Sequence, residues 1–241
     1  YRLRVPNPIP TLQIVVDLET AVILLATGLA FAVFYAVMTG ATTSFHEVYH
    51  FNDLETALMY IPIGAGGILS AFTTGRVVDW NFRRHARHAG LPIVKNVRQD
   101  LRDFNIERAR LEVALPLFYL GNVSMIAYGW VLGRKVNLAG PVILLFIGGY
   151  SLNGTSQVLN ALLVDLWPTR SAAATAASNL FRCELGAAAS AAIRPMDEAM
   201  GTGFAYLTLV LIAMVSSLGL WVTQRDGIKW RQKRVRREST Q

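Results

Sequence analysis

A single cysteine, Cys183, in 241 residues leaves no internal disulfide to staple a small secreted scaffold. Charge is scarce as well: Asp, Glu, Lys and Arg make up 16% of the chain, against about 25% in an ordinary soluble domain. The absence of a glycine repeat, a low-complexity tract or a sustained charged heptad excludes collagen-like, disordered and coiled-coil classes. Neither a P-loop, a dinucleotide fingerprint nor a Ser-His-Asp pattern occurs. The first residues show no initiator Met and no leader with charged, apolar and small-residue regions, so the chain reads as a piece of something longer.

What the sequence has in excess is apolar residues, 53% of the chain, with a mean hydropathy of +0.36. They fall in long blocks rather than in alternation, which points to lipid as the solvent. A bilayer core about 30 Å thick takes about 20 helical residues, and six runs of that order appear: Thr20–Gly40, Thr56–Gly75, Val113–Gly133, Leu138–Val164, Ser171–Ile193 and Gly201–Thr223. Lipid-exposed backbone must satisfy its own hydrogen bonds, and runs this long are not barrel strands, so all six are expected to be helices. The glycines of the Pro62–Gly67 stretch and the alanines of the fifth span let backbones approach closely.

The net charge of +7 is unevenly placed. With the N-terminus inside, nineteen of the twenty-three Lys and Arg fall on the cytoplasmic side and three on the other, which predicts both termini to be cytoplasmic. The resulting divisions are a linker over 1–19, two spans within 20–75, a cytoplasmic loop over 76–112, four spans within 113–223 and a basic tail over 224–241. Within the loop, Val97 to Leu111 alternates charges with Leu101, Phe104 and Leu111, the pattern of an amphipathic helix lying on the surface. The tail after Thr223 reads as a stop-transfer or anionic-lipid contact rather than a nucleic-acid arm.

Three features invite a chemical reading. His46-Glu47-Val48-Tyr49-His50 fits the zinc-protease pattern, with Asp53 and Glu55 nearby. It sits in a short loop outside the spans, and with four histidines in the chain no downstream third ligand is evident, so chance resemblance is the expected reading and no metal is assigned. In the fourth span Tyr150, Asn153, Gln157 and Asn160 are spaced to share one helix face. A polar stripe in a membrane helix either bonds another helix or walls a watered cavity; four groups in line favour the cavity. In the fifth span, Arg182 lies about 16 Å deep, close to the midplane, where an uncompensated charge costs about 2.5–3.5 kcal/mol or more. Asn153 and Gln157 lie at matching height as candidate partners, and Asn179 shares its face. Glu184, about 200° around the helix from Arg182, needs a partner of its own or a proton, which makes it a candidate proton relay.

The loop after the second span, Gly75-Arg76-Val77-Val78-Asp79-Trp80-Asn81-Phe82-Arg83-Arg84, resembles the cytoplasmic loop motif of the major facilitator superfamily. Together with Leu163-Val164-Asp165-Leu166-Trp167-Pro168 and the run from Arg170 to Cys183, it is similar to the second half of a fungal drug:proton antiporter of the twelve-span type. The resemblance covers nearly the whole chain. It implies an all-α membrane protein, half of a major facilitator fold, whose six transmembrane helices form two inverted three-helix repeats and share a central cavity with an N-terminal six-span half. By analogy, the first and fourth spans line the cavity, placing Tyr35, Tyr150, Asn153, Gln157 and Asn160 there. Gly75, Asp79, Arg83 and Arg84 would form a gating loop whose ion pairs make and break. The coupling residues of that family lie in the other half, so none is assigned here.

The function expected on these grounds is export of drugs or other small amphipathic or cationic compounds by alternating access. Its partners are the bilayer, a small-molecule substrate and the other half; it needs a proton gradient and no cofactor. It would reside in the plasma or vacuolar membrane. A self-contained six-span module acting as a homodimer or scaffold is the alternative, and a zinc protease at His46, Glu47 and His50 comes last.

Overall fold

The computed structural model describes residues 9–88, 90, 104–134 and 137–238, with side chains described over residues 11–233 of those ranges. It consists of eight helices: α1 (Ile9–Val16), α2 (Leu18–Tyr49), α3 (Asp53–Leu58), α4 (Ile61–His88), α5 (Ile106–Gly133), α6 (Ala139–Leu166), α7 (Ser171–Met200) and α8 (Thr202–Glu238). No strand occurs among the described residues.

Short polar residues set where the helices begin. Asp17 caps α2, accepting from the Thr20 amide at 3.2 Å and its hydroxyl at 2.8 Å. Asn105 caps α5 through the Arg108 amide, and Asn52 forms a reciprocal capping box with Glu55 at α3; each side-chain oxygen satisfies an amide that has no partner within its helix. Pro62 and Pro141 fall in the first turns of α4 and α6, where a missing N–H removes nothing. At the far end of α2, His50 turns left-handed (φ 56°) and stops the helix.

Five of the six expected spans correspond to single helices, and most outrun their apolar cores; the second, Thr56–Gly75, crosses the turn at Met59 and Tyr60 between α3 and α4. Helix α4 continues to His88, so residues 76–88 are helical turns that extend the second span, not loop. Helix α5 begins at Ile106, ahead of Val113. The amphipathic stretch 97–111 therefore divides: residues 97–103 lie outside the described ones, while Phe104, Ile106 and Leu111 are buried against the bundle rather than lying on a surface. Among the described residues, five helical segments are long and apolar enough to cross a membrane. Helix α7 is not among them despite its 30 residues, because alanines replace larger side chains and Arg182 and Glu184 interrupt it.

The packing has an internal two-fold logic. Exchanging α2 with α6, α4 with α7 and α5 with α8 maps the main contacts onto one another. Helix α2 packs on α7 as α6 packs on α4, α8 packs on α2 as α5 packs on α6, and the pairs α2 with α6 and α5 with α8 meet centrally. The partners in each exchange run in opposite directions, the arrangement of inverted repeats. Between α4 and α6 the backbones touch: a Cβ added at Gly149 would lie 2.5 Å from the Ile63 carbonyl oxygen, and one at Gly66 would collide with the Phe146 carbonyl. In lipid, where burial of apolar surface drives little helix association, such close approach supplies dispersion contacts that larger residues would prevent. Buried side chains form one cluster towards each end, Leu115, Leu159 and Leu220 in the first and Phe45, Met125 and Tyr206 in the second.

Candidate functional site

One end of the bundle gathers the basic segments and holds them with paired charges. Arg110 donates to Asp165 from Nε at 3.2 Å and Nη2 at 3.0 Å, joining α5 to α6. His85 of α4 meets Glu112 of α5 at 2.7 Å, and Asn81 and Arg108 converge on the same carboxylate. Deeper still, Arg231 of α8 lies 3.2 Å from Glu107 of α5, whose side chain is wholly buried. Glu19 of α2 is buried as well, and Glu19 and Glu107 both close upon Gly227. Trp167 donates its indole N–H to Thr20 at 2.9 Å, and Arg170 reaches Gln13. A buried charge costs several kcal/mol unless geometry and hydrogen bonds compensate it, which explains why these groups meet in pairs. None of Glu19, Glu107 or Arg231 stood out in the sequence; two glutamates within two turns of helix starts and an Arg beyond the last span were the available signal.

The middle of the molecule is different. Helix α6 is enclosed by α4, α5, α2 and α7 on nearly every side and leaves one open stripe. That stripe carries Tyr150, Asn153, Gln157 and Asn160, as the spacing anticipated: Gln157 is exposed and the other three are half-buried. The Thr73 hydroxyl of α4 donates to the Tyr150 hydroxyl at 3.0 Å. Asn153 donates to the Gly149 carbonyl of its own helix at 2.8 Å. Ser178 of α7 donates to Asn160 at 2.6 Å. The neighbouring open surface of α2 is aromatic, with Phe31 and Tyr35 at 6.2 Å between ring centroids and Phe34 at 6.0 Å from Tyr35. Phe31 and Phe34 border a narrow crevice with Ala30, Leu152, Asn153 and Ser156. Thr73, Phe31 and Phe34 were missed by sequence reasoning, although Phe31, Phe34 and Tyr35 stand at helical spacing inside the first span.

Arg182 is not on the outer perimeter. It shares with Gly186, Ala189 and Ile193 the face of α7 that packs on α2, and Gly186 abuts the Tyr35 ring. Its partners differ from the expected ones. The guanidinium lies over the Phe31 ring, with Cζ 4.8 Å from the centroid, and among the described residues it makes no hydrogen bond to Asn153 or Gln157. Phe31, which the guanidinium lies over, also borders the crevice that Asn153 lines. Asn179, one turn before Arg182, is exposed, and Glu184 is exposed on the other side of α7.

Gly75, Asp79, Arg83 and Arg84 all lie in the helical extension of α4 and are exposed, so they form a charged helix face, not a loop. Arg76, Asp79, Trp80, Arg83, Arg84, Arg87 and His88 border one open cleft. Asp79 forms no ion pair among the described residues, whereas Arg84 lies 3.9 Å from Glu112 and 5.8 Å from the Trp80 ring. At the opposite end, His46 lies in the last turn of α2, 3.5 Å from Asp53, while His50 is the left-handed cap beyond it. The break in the helix parts the two histidines of the zinc-like pattern, and no set of three metal-ligating side chains gathers among the described residues.

No family model matches the chain. It is 49% identical over 237 residues to the MFS-type transporter phiD of a fungal species (strain ATCC 74256), covering 98% of this chain and 36% of that protein. It is 47% identical over 231 residues to the MFS-type transporter tstD of Talaromyces stipitatus, covering 96% and 42% respectively. The multidrug transporter AQR1 of Candida glabrata is 25% identical over 215 residues, 89% of this chain and 36% of that protein. The chain thus spans less than half the length of these relatives. Six long helices in two inverted repeats, a polar stripe on the central helix and near-complete coverage by such relatives lead to one conclusion: the chain belongs to the major facilitator superfamily, in which it corresponds to the C-terminal half.

Proposed function

We propose that the full-length protein exports small amphipathic compounds through a central cavity by alternating access, driven by a proton gradient. The observation that carries this reading is the open stripe of α6. A helix sealed on its other sides exposes its amide and phenol groups at mid-depth, where lipid contact would leave Gln157 and the remaining donors and acceptors of Asn153 and Asn160 unpaired. A watered hollow completed by the N-terminal half satisfies them. Export of drug-like molecules is supported by the name of AQR1, a multidrug transporter in its own species. The basic end fits the cytoplasmic side, to which the order of the spans in the sequence assigns nineteen of the twenty-three Lys and Arg.

In this reading α2, α4, α6 and α7 line the cavity, while α5 and α8 brace it from behind. The exposed charges on the end of α4, Asp79 with Arg83 and Arg84, are free to pair with the other half in one state and release in another. The test is flux of a fluorescent amphiphile by the full-length transporter in proteoliposomes under an imposed pH gradient. Flux is expected to stop when an ionophore collapses the gradient, and to fall about tenfold or more in Gln157→Leu or Asn153→Leu. Flux indifferent to both would contradict the proposal.

A further inference from the structure

Away from the helix ends, the spans contain two charged residues, Arg182 and Glu184. Glu184 is exposed on the far side of α7, so among the described residues Arg182 is the one mid-depth charge directed to the α2 side. The guanidinium of Arg182 lies over Phe31, with Cζ 4.8 Å from the ring centroid, a contact that uses none of its N–H groups as donors to a carboxylate. Its Nε is buried without a hydrogen-bond partner among the described residues. At the basic end, by contrast, Arg110 and Arg231 each meet a carboxylate.

We propose that the counter-ion of Arg182 is the substrate, and that the cavity accordingly selects anionic amphiphiles, compounds joining a carboxylate or similar acid group to an apolar body. This rests on the transport reading above and narrows its substrate class, turning the expectation away from cationic compounds. The edge of the guanidinium matches two carboxylate oxygens in a forked pair. Phe31, Phe34 and Tyr35 supply the adjoining apolar and aromatic surface, and Asn179, one turn away on α7, adds a polar group. A cationic amphiphile would meet the same aromatic wall beside an unscreened like charge.

The test uses full-length transporter in lipid nanodiscs and two probes of equal chain length, dodecanoate and dodecyltrimethylammonium, with binding read by calorimetry and flux by the same protein in proteoliposomes. Wild type is expected to bind dodecanoate more tightly. Arg182→Met is expected to lose about tenfold or more in dodecanoate affinity, about 1.4 kcal/mol, while binding dodecyltrimethylammonium at least as well as wild type. Arg182→Lys keeps the charge but not the forked edge and should fall between. If Arg182→Met misfolds, wild-type preference between the two probes and the Arg182→Lys affinities decide the matter. Preference for the cation, or equal loss of both probes in a folded Arg182→Met, overturns the selectivity while leaving transport intact. Wild-type proteoliposomes that move neither probe contradict the transport reading and this inference together.

Discussion

Helices α6 and α8 both expose a stripe of side chains along much of their length, and the two stripes are opposites. On α8 it reads Phe204, Leu211, Ile212, Val215, Leu218 and Trp221. On α6 its middle reads Tyr150, Asn153, Gln157 and Asn160. The α8 residues are all exposed, while on α6 Gln157 is exposed and the other three are half-buried. An apolar stripe needs nothing but acyl chains, whereas a stripe of amides needs water or protein. On the proposed reading the contrast marks α8 as the outer wall of the half and α6 as its inner wall, without reference to any ligand.

The largest expected effect comes from placing the same charge on each stripe. Ile212→Arg puts a guanidinium into hydrocarbon near mid-span and should cost about 2.5–3.5 kcal/mol of folding stability. Gln157→Arg, on the open stripe of α6, should cost less than half of that. Thermal unfolding of the two variants in nanodiscs checks the difference, and equal losses would erase the distinction between the walls.

Next in size is the seam that sets the inner wall, the contact of α4 with α6. Gly149→Ala drives a methyl into the Ile63 backbone, and a loss of about 1–3 kcal/mol is expected. Gly75→Ala, on the same helix pair but with nothing within 4 Å, should be neutral or gain up to about 1 kcal/mol from helix propensity. Unfolding midpoints of the two variants should therefore move apart. Smaller again is Tyr150→Phe, which removes the acceptor for Thr73 at the edge of the stripe. It should cost about 1 kcal/mol, read in the same assay against wild type.

The spans were legible because a long apolar run has one solution in lipid. Their ends were not, because the extensions of α4 past Gly75 and of α5 before Val113 are amphipathic or charged and carry no hydropathy signal. The caps Asp17 and Asn105 mark two of those starts more accurately than composition does. The stripe on α6 was legible from its spacing alone, since helical periodicity fixes which side chains share a face. The resting place of Arg182 was not. Depth matching could bring it level with Asn153 and Gln157, but only the close packing of α2 on α7 at Gly28 and Gly186 shows that it meets Phe31 instead. The charge cluster of Glu107 and Arg231 likewise joins residues far apart in the chain, and no local pattern encodes its register.

Water at the inner wall can be measured directly. In full-length transporter freed of native cysteines, single cysteines placed at Gln157 and Ile212 would be exposed to a membrane-impermeant methanethiosulfonate reagent in intact membranes, which reacts with hydrated thiolate and not with a thiol in lipid. Rapid labelling at position 157 with protection at 212 is the expected result. Labelling at 212 with protection at 157, or protection at both in every conformational state, would contradict the assignment of the polar stripe to a watered cavity.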